Sequence, residues 1–105
     1  MARKKFSTLT EPMFYLLMAL RSGDKCGADI SAYISDKSGK RVVLGPGTLY
    51  ALLGEFEEEE VIIHIGTEGK RKIYRISNYG RELYCAELER LRKCVADAEG
   101  ENNEN

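Results

Sequence analysis

The segment Gly45-Pro46-Gly47-Thr48-Leu49-Tyr50 sets two hydroxyls, on Thr48 and Tyr50, at what reads as the start of a helix. Backbone N–H groups are free at such a start, and hydroxyl donors beside them suit an anion. Taken alone, the segment is equally a surface helix with an unengaged tyrosine. Further along, Lys70-Arg71-Lys72 places three consecutive cations at a turn. Donors and cations without a nucleophile are equipment for holding a polyanion, not for making or breaking bonds. The single histidine, His64, lies in an apolar strand-like run, so neither a catalytic triad nor a metal centre is expected. Cys26, Cys85 and Cys94 are odd in number and lack CxxC spacing, which favours buried free thiols in a reducing compartment over a disulfide frame or zinc site. Consecutive carboxylates at Glu57-Glu58-Glu59-Glu60 point in different directions on a helix and read as a solvated helix end. The expectation is a binding protein with no cofactor, no metal and no enzymatic activity.

The elements that must position these groups follow from apolar spacing. Leu49, Leu52, Leu53 and Phe56 form one helical stripe, with Gly47, Tyr50, Ala51 and Gly54 on the other side. Val61 to Ile65 is a β-branched run, 66–71 is turn material, and Lys72 to Ile76 alternates polar with apolar. This hairpin carries Lys70, Arg71, Lys72 and Arg75 against Glu68 alone, a local balance of +3. Upstream, Thr10 is an N-cap candidate with Glu11 and Pro12 in the first turn, followed by the stripe Met13, Leu16, Leu17, Leu20. Phe14, Tyr15 and Met18 make the opposite side apolar too, so this helix needs cover all round, more than so short a chain provides alone. A second helix is expected over 27–37, with Ile30, Tyr33 and Ile34 inward and Gly39 as its stop. Val42-Val43-Leu44 is a candidate short strand beside the hairpin.

The last helix is expected from Ser77 or Asn78 to Ala98. Tyr84, Leu88, Leu91, Val95 and Ala98 lie on one stripe spaced as the seam of a helix pair, so Tyr84, Leu88, Leu91 and Val95 are the expected dimer interface. The order of helices and hairpin gives a mainly α fold with a small β-hairpin, a winged helix-turn-helix plus a C-terminal dimerisation helix. The expected divisions are 1–8, a flexible basic N-terminus; 9–77, the winged helix-turn-helix; 78–98, the dimerisation helix; and 99–105, a disordered acidic tail.

Net charge over the 105 residues is −1, yet residues 1–81 sum to +3 and residues 82–105 to −4. A basic front and an acidic back suit a protein that turns one face to DNA. Arg3-Lys4-Lys5 runs into polar residues and the longest apolar stretch is short, so neither a secretory leader nor a membrane span is expected, and the protein is expected in the cytoplasm.

With these residues in view, the chain resembles the PadR-like transcriptional regulators, in particular their short class with a single C-terminal helix. The matching residues are Leu9-Thr10-Glu11, Gly45-Pro46-Gly47-Thr48-Leu49-Tyr50, Glu57 to Ile62, Arg71-Lys72-Ile73-Tyr74-Arg75-Ile76-Ser77 and Gly80-Arg81-Glu82-Leu83. The resemblance implies a homodimer on a roughly palindromic double-stranded DNA operator, acting as a repressor released by a small hydrophobic or aromatic effector. It implies DNA contacts from Tyr50, Lys70, Arg71 and Lys72 only. From the residues themselves, the Thr48 hydroxyl adds a phosphate donor, while Lys4, Lys5, Lys40 and Arg41 are weaker candidates that read first as solvated charges or non-specific backbone contacts. The resemblance also implies an effector pocket between the first and last helices, for which Phe14, Tyr15, Met18, Tyr84 and Leu88 are the candidates, although the residues themselves read more readily as packing of the dimer. Two positions depart from the family pattern. Gly54 stands where relatives often carry a basic residue, and Glu60 where they usually carry glycine. The rival reading is a protein-interaction module that keeps the winged fold without strong DNA binding.

Overall fold

Thr10 caps the first helix, α1 (Glu11–Arg21), by accepting a hydrogen bond from the Met13 N–H at 3.3 Å, and Pro12 sits in the first turn, where no N–H is needed. The computed structural model describes residues 8–103. The expected N-terminal segment, apart from Thr8, and the last two residues of the expected tail lie outside the described residues. After α1 come β1 (Lys25–Cys26), α2 (Gly27–Lys37), α3 (Pro46–Glu58), β2 (Ile62–Glu68), β3 (Arg71–Ile76) and α4 (Asn78–Asn103). The strands form one antiparallel sheet in the order β1-β3-β2. This is the winged helix-turn-helix with a C-terminal helix that the spacing predicts.

The core is drawn from the predicted stripes. Leu16, Leu17 and Leu20 of α1, Ile30 and Ile34 of α2, Leu53 and Phe56 of α3, and Val61 and Ile62 at the root of the hairpin are all fully enclosed. Each such side chain contributes about 1.5–3 kcal/mol through burial. Two helices end in the same hydrogen-bond motif. After α2, the Lys40 N–H reaches the Ser35 carbonyl and the Gly39 N–H reaches that of Asp36. After α3, the Val61 N–H reaches Phe56 and the Glu60 N–H reaches Glu57. The motif needs a left-handed residue at its centre, normally glycine. Gly39 supplies it at φ +63°, whereas Glu60 is held at φ +64° against its own Cβ. Glu60→Gly is therefore expected to raise stability by about 0.5–1 kcal/mol. A urea titration reads this as a higher midpoint with unchanged slope, and a lower midpoint contradicts it.

Four expectations are corrected. The third strand is Lys25–Cys26, not Val42-Val43-Leu44, whose backbone is irregular while Val42 and Leu44 point into the core and Val43 into solvent. The last helix does not stop at Ala98 but continues to Asn103, so residues 99–103 of the expected tail are helical. Of the four glutamates from Glu57, Glu59 is buried, and its Oε1 has no hydrogen-bond partner among the described residues. Of the three thiols, only Cys26 is buried; Cys85 and Cys94 are exposed on α4.

Candidate nucleic-acid interface

Proline and glycine open α3, and its N-cap, Gly45, gives the first N–H groups of the helix no side-chain cap. The stripe of Leu49, Leu53 and Phe56 turns inward and leaves Thr48, Tyr50, Ala51 and Gly54 exposed, with Tyr50 at 55 %. No lysine, arginine, asparagine or glutamine occurs in α3.

The hairpin closes through Gly69 and Lys70, with Glu68 paired to Arg71 and Gly69 at φ +62°, the left-handed conformation such a turn requires. Lys70, Arg71 and Lys72 are exposed, and none is in a salt bridge among the described residues. Arg75 is different. Its Nε and Nη2 donate to the two oxygens of Asp24 at 3.1 and 2.8 Å, and the guanidinium holds that carboxyl below its ordinary range. Arg41, a lesser candidate, is similarly engaged, pairing with Glu11 at 2.6 Å and donating to the Tyr15 hydroxyl at 3.1 Å. Lys40 is exposed, and Lys4 and Lys5 lie outside the described residues.

The unforeseen strand β1 brings these groups together. Lys25 pairs with Tyr74 and Cys26 with Ile73, and the antiparallel register carries the first turn of α2 towards the tip half of the hairpin. Between α2, α3 and the hairpin lies a cleft of about 380 Å³ lined by Cys26, Gly27, Ala28, Tyr50, Lys70, Arg71, Lys72 and Tyr74. Four of the five residues expected to face DNA thus share one cleft, while Thr48 is exposed on α3 outside it. Among the described residues no acidic side chain lines it. Burial pushes the Tyr74 phenol up, with Glu57 and Tyr50 adding to the effect, so it remains a protonated donor. Cations, phenols and a helix start around one concave surface fit a phosphate. Gly27, Ala28 and Tyr74 were missed by sequence reasoning. Only the alternation of Lys72 to Ile76 offered a signal, and it covers Tyr74 alone.

The residues expected to form an effector pocket and a dimer seam separate into distinct surroundings. Tyr84 is 5 % exposed, stacked on Phe14 with ring centroids 4.8 Å apart and planes 6° apart, and Arg21 lies over it at 4.8 Å. It therefore packs within its own chain, and the second apolar side of α1 is covered in part by α4 rather than by a partner. Phe14 and Tyr15 line a cleft of about 340 Å³ between α1 and α4, together with Glu87, Arg90 and Leu91, whereas Met18, Tyr84 and Leu88 do not. Glu87 is buried there; Arg90 chiefly, helped by the Leu9 N–H, holds its carboxyl below the ordinary range. Leu88, Leu91 and Val95 line a separate groove of about 340 Å³ along α4. Among the described residues no helix is long and apolar enough to cross a membrane, and no group of His, Cys, Asp and Glu is placed to hold a metal ion.

Comparison with known proteins agrees with this architecture. The sequence profile described as Transcriptional regulator PadR-like family matches residues 16–86. An uncharacterised protein, X, of Lysinibacillus sphaericus is 34 % identical over 77 residues, 70 % of each chain. Among solved structures, a transcriptional regulator from Clostridium thermocellum is 31 % identical, with TM-score 0.67 over 81 % of this chain and 89 % of that one. Bacillus subtilis PadR, in a structure with operator DNA, shares the fold at 22 % identity and TM-score 0.65, over 72 % of this chain and 45 % of its own.

Proposed function

The chain belongs to the transcriptional regulator PadR-like family, and from that premise we propose that it is a homodimeric DNA-binding regulator, a repressor released by a small effector, with no enzymatic activity. The observation that carries the DNA contact is the acid-free cleft that gathers Tyr50 with Lys70, Arg71 and Lys72. Those cations neutralise phosphates, Tyr50 and Thr48 donate to phosphate oxygens, and α3 lies against the major groove. Bidentate reading of bases calls for guanidinium, amide or amine side chains, which α3 lacks. Affinity comes mainly from the DNA backbone, and sequence preference mainly from the shape and bending of the duplex.

Two chains joined through Leu88, Leu91 and Val95 of α4 present their α3 helices to successive major grooves about 34 Å apart, on a roughly palindromic operator. The divisions at 77/78 between winged domain and pairing helix, and the cleft at Phe14 and Tyr15 as the effector site, belong to the same proposal. Fluorescence anisotropy on a labelled duplex tests it. Affinity falls by about 10³-fold or more between 50 and 200 mM salt for a dimer making six or more phosphate contacts. Saturation is reached at two chains per duplex. Absence of binding at low salt, or affinity indifferent to salt, returns the fold to the protein-interaction reading that the exposed Glu57, Glu58 and Glu60 allow.

A further inference from the structure

We propose that Gly27 is a positioning residue for DNA contact, the seat on which the Tyr50 phenol rests; the proposal rests on the DNA reading above. A methyl group at Gly27 would lie 2.6 Å from Tyr50 Oη, 2.9 Å from Cζ and 3.1 Å from Cε1, so the ring occupies the space a side chain would take. Gly27 is not needed for its backbone: its φ is not positive, unlike those of Gly23, Gly39 and Gly69. Nor does the helix benefit from it, because alanine is the better helix former. What glycine gives at this position is room. Tyr50 has a half-exposed ring on α3, and the start of α2 catches one edge of it at the cleft shared with Lys70, Arg71 and Lys72.

A seated ring has already lost its rotamer freedom before DNA arrives, and its hydroxyl is held at Gly27, on the wall of the cationic cleft. With the seat filled, the ring swings towards solvent. The fold tolerates this, since the displaced atoms are the far end of an exposed side chain. DNA binding does not, because the phenol must be ordered again on contact. Losing that preorganisation and one phosphate hydrogen bond lowers affinity by about 5- to 10-fold.

The test is a double-variant cycle with Gly27→Ala, Tyr50→Ala and the two combined, read by anisotropy on a duplex at fixed salt, by thermal melting and by NMR of the tyrosine rings. Gly27→Ala is expected to weaken binding by about 5- to 10-fold with an unchanged or slightly higher melting temperature. The combined variant binds no more weakly than Tyr50→Ala alone. Wild-type affinity in Gly27→Ala, or penalties that multiply in the combined variant, overturns the proposal. If Gly27→Ala melts early, the combined variant must recover the loss; failure to recover places the clash elsewhere and also overturns it. If the unmodified chain binds no duplex, the DNA reading fails by itself. The Tyr50 ring signals still judge the seat: a shift on Gly27→Ala supports it and unmoved signals refute it.

Discussion

Replacing Lys70, Arg71 and Lys72 together with alanine is expected to lower affinity for duplex DNA by about 10²-fold or more at 0.1 M salt, and by the same factor for every sequence. Each phosphate contact adds about 0.9 to the slope of log K against log salt, so losing three contacts per chain flattens that slope by about 2.7 per chain. The three side chains are exposed and outside any ion pair among the described residues, so truncation leaves no buried partner exposed to a cost and the fold is expected to melt where it did. Arg75→Ala is the internal contrast. That guanidinium is committed to Asp24 by two hydrogen bonds, and its loss leaves the salt slope nearly unchanged. Anisotropy titrations over a series of salt concentrations separate the two variants. A triple variant that keeps the wild-type slope removes the hairpin from the DNA contact.

Gly80→Ala should produce the larger loss of stability, about 2–3 kcal/mol, in contrast to the mild effect of alanine at Gly27. A methyl group at Gly80 would overlap the Val61 carbonyl oxygen and lie 2.7 Å from Ile76 Cγ1. Neither neighbour moves freely. The Val61 carbonyl accepts from the Ser77 N–H at 3.0 Å and from the Ser77 hydroxyl at 2.9 Å, and Ser77 Oγ in turn accepts from the Gly80 N–H at 2.9 Å. The start of α4 is stitched through that serine to the link between α3 and β2, at the root of the hairpin, and the added methyl falls inside the stitch. For a domain of this size the change corresponds to a fall in melting temperature of about 10–20 °C. A fall of only a degree or two shows that α4 can lift off this corner without loss.

How much of this was readable from residues alone depends on range. The inward stripes of α1, α2 and α3 and the Thr10 cap are local patterns that the structure has at the expected places. The hairpin is there too, but its strands run further than expected, through Gly66-Thr67-Glu68 and from Arg71, which had read as turn. Cross-strand pairing extends them to a two-residue turn at Gly69 and Lys70. β1 is not local. Lys25-Cys26 carries no strand pattern and becomes a strand only because β3 offers it a free edge, so the apolar Val42-Val43-Leu44 was the more inviting candidate. Tyr84 fits the α4 stripe and also stacks on Phe14, and spacing along one helix does not say which neighbour takes it. The cationic cleft was half visible. Its cations and Tyr50 stand out by type, whereas Gly27 resembles any residue at a helix start until the phenol is seen lying over it. Glu60 was visible as a departure from the family pattern, and its left-handed backbone supplies the physical meaning of that departure.

The face-to-face rings of Phe14 and Tyr84, with Arg21 closing the far side, act as the fulcrum of a cantilever. From Tyr84, α4 runs about 28 Å to its tip, packed on its own domain as far as Leu91. Turning the whole helix by about 10° about the rings would sweep that tip through about 5 Å, more than the ~3.4 Å between neighbouring base pairs. In a pair joined along this beam, a small wedge between the rings would throw the two reading heads out of step with the double helix.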